Sequence, residues 1–152
     1  MAAKDSPFQT PEKKTLKDQL EIHIPSDPRF LKIIRMAVSH LCELLGFPVE
    51  EQKSTVLAVD EACTNIIKHA YLSDPNQVIE IRFHLLENGL QVILRDYGRK
   101  ADLKQMKSRE LNDVRPGGIG IHLIKSVMDV VRYDNTLETG NELTLIKYLR
   151  PK

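Results

Sequence analysis

Three short stretches of the chain carry side chains able to do chemistry. The first reads Glu61-Ala62-Cys63-Thr64-Asn65-Ile66-Ile67-Lys68-His69-Ala70. At about 100° per residue in a helix, Glu61, Asn65, Lys68 and His69 fall on one side. An apolar stripe of Val56, Val59, Cys63, Ile66 and Ala70 falls on the other. Such a polar face is most often only solvated, but Asn is a mediocre helix former and an odd choice there. As chemistry, Glu61 suits a general base, and the amide oxygen of Asn65 suits a hard cation such as Mg²⁺. The second stretch is Leu94-Arg95-Asp96-Tyr97-Gly98, closing an apolar run. Asp before Gly is commonly just a turn, yet a carboxylate at a strand end can accept a hydrogen bond from an exocyclic amine such as that of adenine. The third is Arg115-Pro116-Gly117-Gly118-Ile119-Gly120-Ile121. Its glycines permit close backbone approach. They precede an expected helix N-terminus, whose free N–H groups favour anions, and Arg115 adds a fork of donors suited to phosphate.

The elements that must position these stretches follow from periodicity and breakers. Residues 1–18 are polar and proline-containing and are expected to form a flexible tail. Leu20, Ile22 and Ile24 alternate with polar residues, which predicts a strand over 19–24. Asp27-Pro28 suits a helix start, and Gly46 a helix end, so helix one is expected from about 28 to 45. Pro48-Val49-Glu50-Glu51 opens helix two, with acids where the helix dipole favours them, continuing to about Ala70. Ser73 to Asn76 break the chain. Strands are predicted over 78–86 and 90–96, joined at Asn88-Gly89, a strong hairpin signal. Residues 97–117 lack a clear period and carry six basic and three acidic side chains, a combination expected of a functional loop. Helix three is predicted over about 118–128, and strands over about 129–135 and 142–149. The order is β-α-α-β-β-loop-α-β-β, an α+β chain with helices on one face of a mixed, mostly antiparallel sheet.

Composition narrows the classes further. The 152 residues fit one domain, over 19–152. With 22 Lys+Arg against 21 Asp+Glu, there is no basic surplus of the kind that coats nucleic acid. No apolar run approaches the roughly 18 residues that span a bilayer, and the first residues lack a signal-like apolar stretch. A cytoplasmic protein without membrane or direct nucleic-acid partners is expected. Cys42 and Cys63 sit in apolar helical sequence and are expected to be buried free thiols. The P-loop G-x-x-x-x-G-K-[ST], the dinucleotide G-x-G-x-x-G and the eukaryotic-type kinase signatures do not occur.

Each stretch alone is unspecific, but their order resembles the GHKL, or Bergerat-fold, ATPases, which include DNA gyrase, MutL and the ATP-binding domains of bacterial histidine kinases. Glu61-x-x-x-Asn65-x-x-Lys68-His69-Ala70 resembles that family's N box, Asp96-x-Gly98 its first glycine box, and Gly117-Gly118-Ile119-Gly120 its second. The resemblance covers about residues 19–150 and implies a two-layer α/β sandwich. Within the family the chain is most similar to the anti-sigma-factor serine/threonine kinases of bacterial partner switching. The resemblance implies that Glu61 takes a proton from a protein Ser or Thr hydroxyl and that Asn65 ligates Mg²⁺. It implies that Asp96 reads the adenine amino group above Gly98, and that Gly117, Gly118, Ile119 and Gly120 hold phosphate. Arg115 would approach the γ-phosphate, Lys68 and His69 would line the same face, and the basic residues from 95 to 115 would gather around the triphosphate. ATP and Mg²⁺ are then the cofactors. A STAS-domain anti-anti-sigma antagonist is the implied protein substrate and a sigma factor a second partner. Relatives of this kind often dimerise, which leaves a homodimer open. The alternative is a non-catalytic module that switches partners by ATP or ADP occupancy. Arg99-Lys100 stands where the first glycine box usually has a second glycine, and Thr in some relatives aligns near Asn141 or Glu142, to which no role is assigned.

Overall fold

The computed structural model describes residues 18–102 and 116–151, with the backbone alone over 116–120. The chain runs through β1 (Gln19–Pro25), a 3₁₀ turn (Pro28–Phe30), α1 (Leu31–Leu45), α2 (Val49–Asn65) and a π-helical turn (Ile66–Ala70). It continues through β2 (Val78–Leu86), β3 (Gly89–Asp96), α3 (Pro116–Val127), β4 (Val130–Asp134) and β5 (Asn141–Tyr148). The flexible tail expected at 1–18 lies, apart from Asp18, outside the described residues, as does most of the loop expected at 97–117.

Local chemistry explains the boundaries. The Asp27 side chain accepts from the Arg29 N–H at 2.9 Å, capping the turn that leads into α1. Gly46 takes the left-handed conformation, φ 85°, and its N–H closes on Glu43. Helix two departs from its expected regular course at Ile66, where the hydrogen bond from Tyr71 N to Ile66 O spans a wider turn. Leu72 and Ser73 then adopt positive φ and end it.

The strands form one sheet in the order β1-β2-β3-β5-β4. The α+β reading holds, and each of the four pairings is antiparallel, so the parallel neighbours of a mixed sheet do not occur among the described residues. The reason is chain reversal. Two helices separate β1 from β2, which returns the chain antiparallel beside its start. Among the described residues a single helix separates β3 from β4; those two run parallel, but β5 inserts between them. Alternation then sorts the faces: Ile79, Ile81 and Phe83 of β2, Leu90, Val92 and Leu94 of β3, and Leu143 and Leu145 of β5 are buried. They meet Ile34 and Val38 of α1, Val59 and Cys63 of α2, and Ile124 of α3 in one core. Each such fully buried aliphatic side chain contributes about 1.5–3 kcal/mol. Cys42 and Cys63 are free, buried thiols, pushed up by burial to about 11 and about 12. Among the described residues no helix is long and apolar enough to cross a membrane.

Candidate functional site

The helix-two motif sits at the end of α2 and on the π-helical turn. Glu61 and Asn65 are half-buried, Lys68 and His69 exposed. The wider turn advances fewer degrees per residue, so the last two do not keep α-helical register with the first two. Cys63, Ala62, Ile66 and Ile67 face the core, as does Val59; Val56 and Ala70, expected in the stripe, are only partly buried against it. Asn65 is unusual in that its Nδ2 is buried and has no hydrogen-bond partner among the described residues. An orphaned buried amide is costly and calls for an explanation. Because a half-turn of the amide exchanges its nitrogen and oxygen, the position can equally offer an acceptor. The donor set therefore fits a hard divalent cation, which takes oxygen ligands. Glu61, one turn earlier, has no hydrogen-bond or ion-pair partner among the described residues, which leaves its carboxylate available to an incoming group.

Asp96 is the opposite case. It ends β3 on the core side of the sheet and is only 3 % exposed. Its Oδ1 accepts from Gly98 N at 3.0 Å and from Asn141 Nδ2 at 3.1 Å, while Oδ2 has only a long 3.4 Å contact with the same amide. Oδ2 thus keeps lone-pair capacity for an outside donor. Burial raises the Asp96 carboxyl above its usual range, opposed by the Gly98 and Asn141 donors and by the Arg95 charge. Tyr133 of β4 is partly buried, and its hydroxyl is pushed up to about 12 by desolvation and then by the charge of this carboxylate.

The two regions are physically joined. Arg99 N donates to Ala70 O at 2.8 Å, and Tyr97 N to the Tyr71 hydroxyl at 2.8 Å, which in turn donates to Val78 O at 2.6 Å. Gly98 lies against this junction, and a Cβ there would overlap the Ala70 carbonyl. Glycine is therefore required at 98 by close approach, since its φ is not in the left-handed region.

Asn141, which had no assigned role, is 4 % exposed and makes most of the contacts behind Asp96. Its Nδ2 also donates to Arg99 O at 2.9 Å, and its Oδ1 accepts from Ala101 N at 2.7 Å. Gly140 before it has φ 68°, and a Cβ there would overlap the Asp96 carbonyl. The available signal was an Asn beginning an apolar strand, where that residue is disfavoured. Tyr71 was missed as well, and nothing in the sequence marks it.

Two basic residues expected around a triphosphate are committed elsewhere. Arg95 stacks on Tyr97 and donates to the carbonyls of Asp96, Thr139 and Asn141. Lys100 donates to Asn135 O at 2.7 Å and to Leu137 O. Both tie the end of β3 to the β4–β5 turn. Where a second glycine is missing, Lys100 acts as a strap. Arg115 lies outside the described residues. The glycine-rich segment opens the third helix: α3, expected from about residue 118, starts at Pro116, so Gly117, Gly118, Ile119 and Gly120 occupy its opening turns. Pro suits the first helical position. It leaves the next N–H groups without intrahelical acceptors, a ready anion site with no side chain in the way at the glycines. The two ends of the motif set share a helix pair, since α2 and α3 pack together.

Comparison with known proteins bears on this arrangement. Residues 24–147 match the family model of the histidine kinase-like ATPase domain. The serine-protein kinase RsbW of Bacillus subtilis is 33 % identical over 144 residues, covering 90 % of this chain and 89 % of that one. The protein of the same name from Listeria innocua is 29 % identical over 148 residues, with 91 % and 92 % covered. A crystal structure of the RsbU and RsbW domains of a Mycobacterium tuberculosis protein superposes with a TM-score of 0.64 at 17 % identity. It covers 88 % of this chain, which spans only 33 % of that longer one.

Proposed function

Since the chain belongs to the histidine kinase-like ATPase family, and within it to the serine-protein kinases of the RsbW kind, we propose that it is a Mg-ATP-dependent protein serine/threonine kinase. It phosphorylates a STAS-domain anti-anti-sigma antagonist in the cytoplasm, and phosphorylation decides whether the kinase holds that antagonist or a sigma factor. The observation that carries this reading is the junction at Ala70 and Tyr71, which bonds the helix bearing Glu61 and Asn65 to the segment following Asp96. In this reading the base-reading carboxylate and the catalytic carboxylate stand on two segments that this junction ties together.

In this reading Asp96 Oδ2 accepts the adenine amino group, and Gly98, whose missing Cβ admits the Ala70 carbonyl, lies under the ring. The opening N–H groups of α3 hold phosphate oxygens, with Arg115, Lys68 and His69 as further cationic contacts. Mg²⁺, when bound, neutralises phosphate charge, and Asn65 would hold it. Glu61 takes the proton from the substrate hydroxyl as the new O–P bond forms and the bond from the γ-phosphorus to the β-phosphate oxygen breaks, releasing ADP. Positioning and charge do most of this work, and the base contributes about 10²–10⁴-fold.

Incubation with γ-labelled Mg-ATP and candidate STAS domains is the test. Label on a Ser or Thr of the antagonist is expected. Nucleotide-dependent binding of the antagonist with no label transferred would replace this reading with that of an ATP- or ADP-gated switch.

A further inference from the structure

The outer face of the sheet carries a second cluster of ligand-bearing side chains, at the β1 edge. In the β1–β2 ladder His23 stands opposite Glu80, and Glu21 opposite Arg82. Side chains alternate along a strand. Ile24 of β1 and Ile79 and Ile81 of β2 are buried in the core, so Glu21, His23 and Glu80 share the face that points away from it. Cross-strand neighbours stand about 5 Å apart at Cβ and second neighbours along a strand about 7 Å, within reach of glutamate side chains. One carboxylate oxygen of each glutamate and one ring nitrogen of His23 all lie within 4.8 Å of one another. Among the described residues this is the one group of three that does so.

The donor set is mixed, and that gives it chemical direction. Mg²⁺ and Ca²⁺ take oxygen alone, whereas an imidazole beside two carboxylates suits Zn²⁺ and other late first-row divalent ions. The arginines that face the glutamates across the ladders are held elsewhere. Arg82 donates to Glu142 Oε2 at 3.1 Å and reaches Glu21 only through its field. Arg95, opposite Glu80 on β3, stacks on Tyr97 and donates to the carbonyls of Thr139 and Asn141. The negative charge of the pair is therefore left for a cation. Glu80 is also oriented from behind: its Oε2 accepts from the Tyr97 hydroxyl at 2.9 Å, an outer bond of the kind that fixes metal-ligating carboxylates. Its Oε1 is left for an ion. The contact to be displaced is the 2.6 Å bond between His23 Nε2 and Glu21 Oε1. Both side chains are about half exposed, so that bond is weakly held. A neutral imidazole can carry its hydrogen on either nitrogen, which frees Nε2 for a metal.

We propose that Glu21, His23 and Glu80 form a binding site for Zn²⁺, or a divalent ion of the same class, and that the bound ion staples the edge strand β1 to β2. Three protein ligands with water in the fourth position make an open tetrahedral site. Donors at about 2.0–2.2 Å from the ion stand roughly 3.4 Å apart, so the three side chains close up slightly on binding. β1 ends the sheet and pairs with β2 alone. Two ligands lie on β1 and the third on β2, so the ion must leave before the strand can peel away. Tyr97 is a positioning residue here, acting through Glu80.

The test uses the full-length protein, stripped of metal by a chelator and kept in excess Mg²⁺ without nucleotide, so its outcome is separate from the kinase reading. Titration with zinc chloride by calorimetry should show one saturable site. His23→Gln and Glu80→Gln should each weaken it by about a hundredfold or more, and Tyr97→Phe, which removes only the hydroxyl, by about tenfold. Hydrogen exchange at the β1 amides should slow by up to about a hundredfold when Zn²⁺ stands at a hundred times its dissociation constant, and His23→Gln should abolish that slowing. Absence of saturable binding, or an affinity unchanged by His23→Gln, would overturn the site. Binding without slower exchange in β1 would overturn the staple. Where a variant fails to fold, the wild-type protein decides: the His23 ring resonances must shift with the first equivalent of Zn²⁺, and a shift confined to the other histidines would overturn the proposal.

Discussion

The end of helix two and the end of β3 are built on opposite plans. At the helix-two end, Glu61 and Asn65 carry unspent polar capacity, and Lys68 and His69 stand exposed. At the strand end, Asp96 is buried and backed by Gly98 and Asn141, with only one oxygen left open. The difference teaches which groups can be prepared in advance. A base edge is rigid and unchanging, so its acceptor can be fixed by the fold before the ligand arrives. A transferring phosphate and an incoming hydroxyl change charge and position, so the groups that serve them are left uncommitted, at a cost to stability.

This contrast can be broken in order of effect. Glu61→Gln should lower phosphotransfer by about a hundredfold or more with nucleotide affinity unchanged; single-turnover kinetics beside calorimetry would check both halves. Asp96→Ala should weaken ATP binding by about ten- to a hundredfold and equalise ATP and GTP, read by competitive binding. The same residue gives two pH dependences of opposite sign. Its carboxyl is raised in the folded protein, so its contribution to stability is greatest below the unfolded value and falls as pH rises toward the folded value. Adenine binding, which needs the ionised form, rises over that same interval. Asp96→Asn should flatten the stability slope in thermal melts taken across it.

Gly140→Ala places a side chain at φ 68° against the Asp96 carbonyl. A loss of about 1–2 kcal/mol is expected, lowering the melting midpoint by roughly 3–6 °C and weakening ATP binding with it. Asn65→Leu should act in the other direction on stability. Removing an orphaned buried amide is worth about 1 kcal/mol, which raises the midpoint by roughly 2–4 °C, while Mg²⁺-dependent nucleotide binding is lost. A lower midpoint in this variant would show that the amide is satisfied in the unliganded protein, and the contrast between the two ends would fail.

Much of the fold was legible because it is written locally. Asp27-Pro28 and Gly46 bound helix one, and the alternation of Ile79, Ile81 and Phe83 set the buried face of β2. The helix-two motif, Asp96-x-Gly98 and the glycine-rich run were visible for the same reason, as short patterns of residue type. What escaped was non-local. The π-helical turn at Ile66–Ala70 is part of the chain's junction with the segment after β3. The fates of Arg95 and Lys100 depend on carbonyls some forty residues later in the chain, in the β4–β5 turn. Neither charge pattern nor period reports such a pairing.

By itself, then, the sequence determined the element order, the sorting of apolar residues to one face and the inventory of groups able to act on a nucleotide. These follow from side-chain type and from the periods of helix and strand, which each segment carries within itself. Only the tertiary structure decided that β5 inserts between β3 and β4. It also decided that the segment after Asp96 is bonded to the turn that follows Asn65, through Ala70 and Tyr71, and that Asn141 donates to the Asp96 carboxylate. Those outcomes depend on which distant backbone groups a folded chain brings within hydrogen-bond reach, and reach is a property of the assembled sheet that no single segment holds.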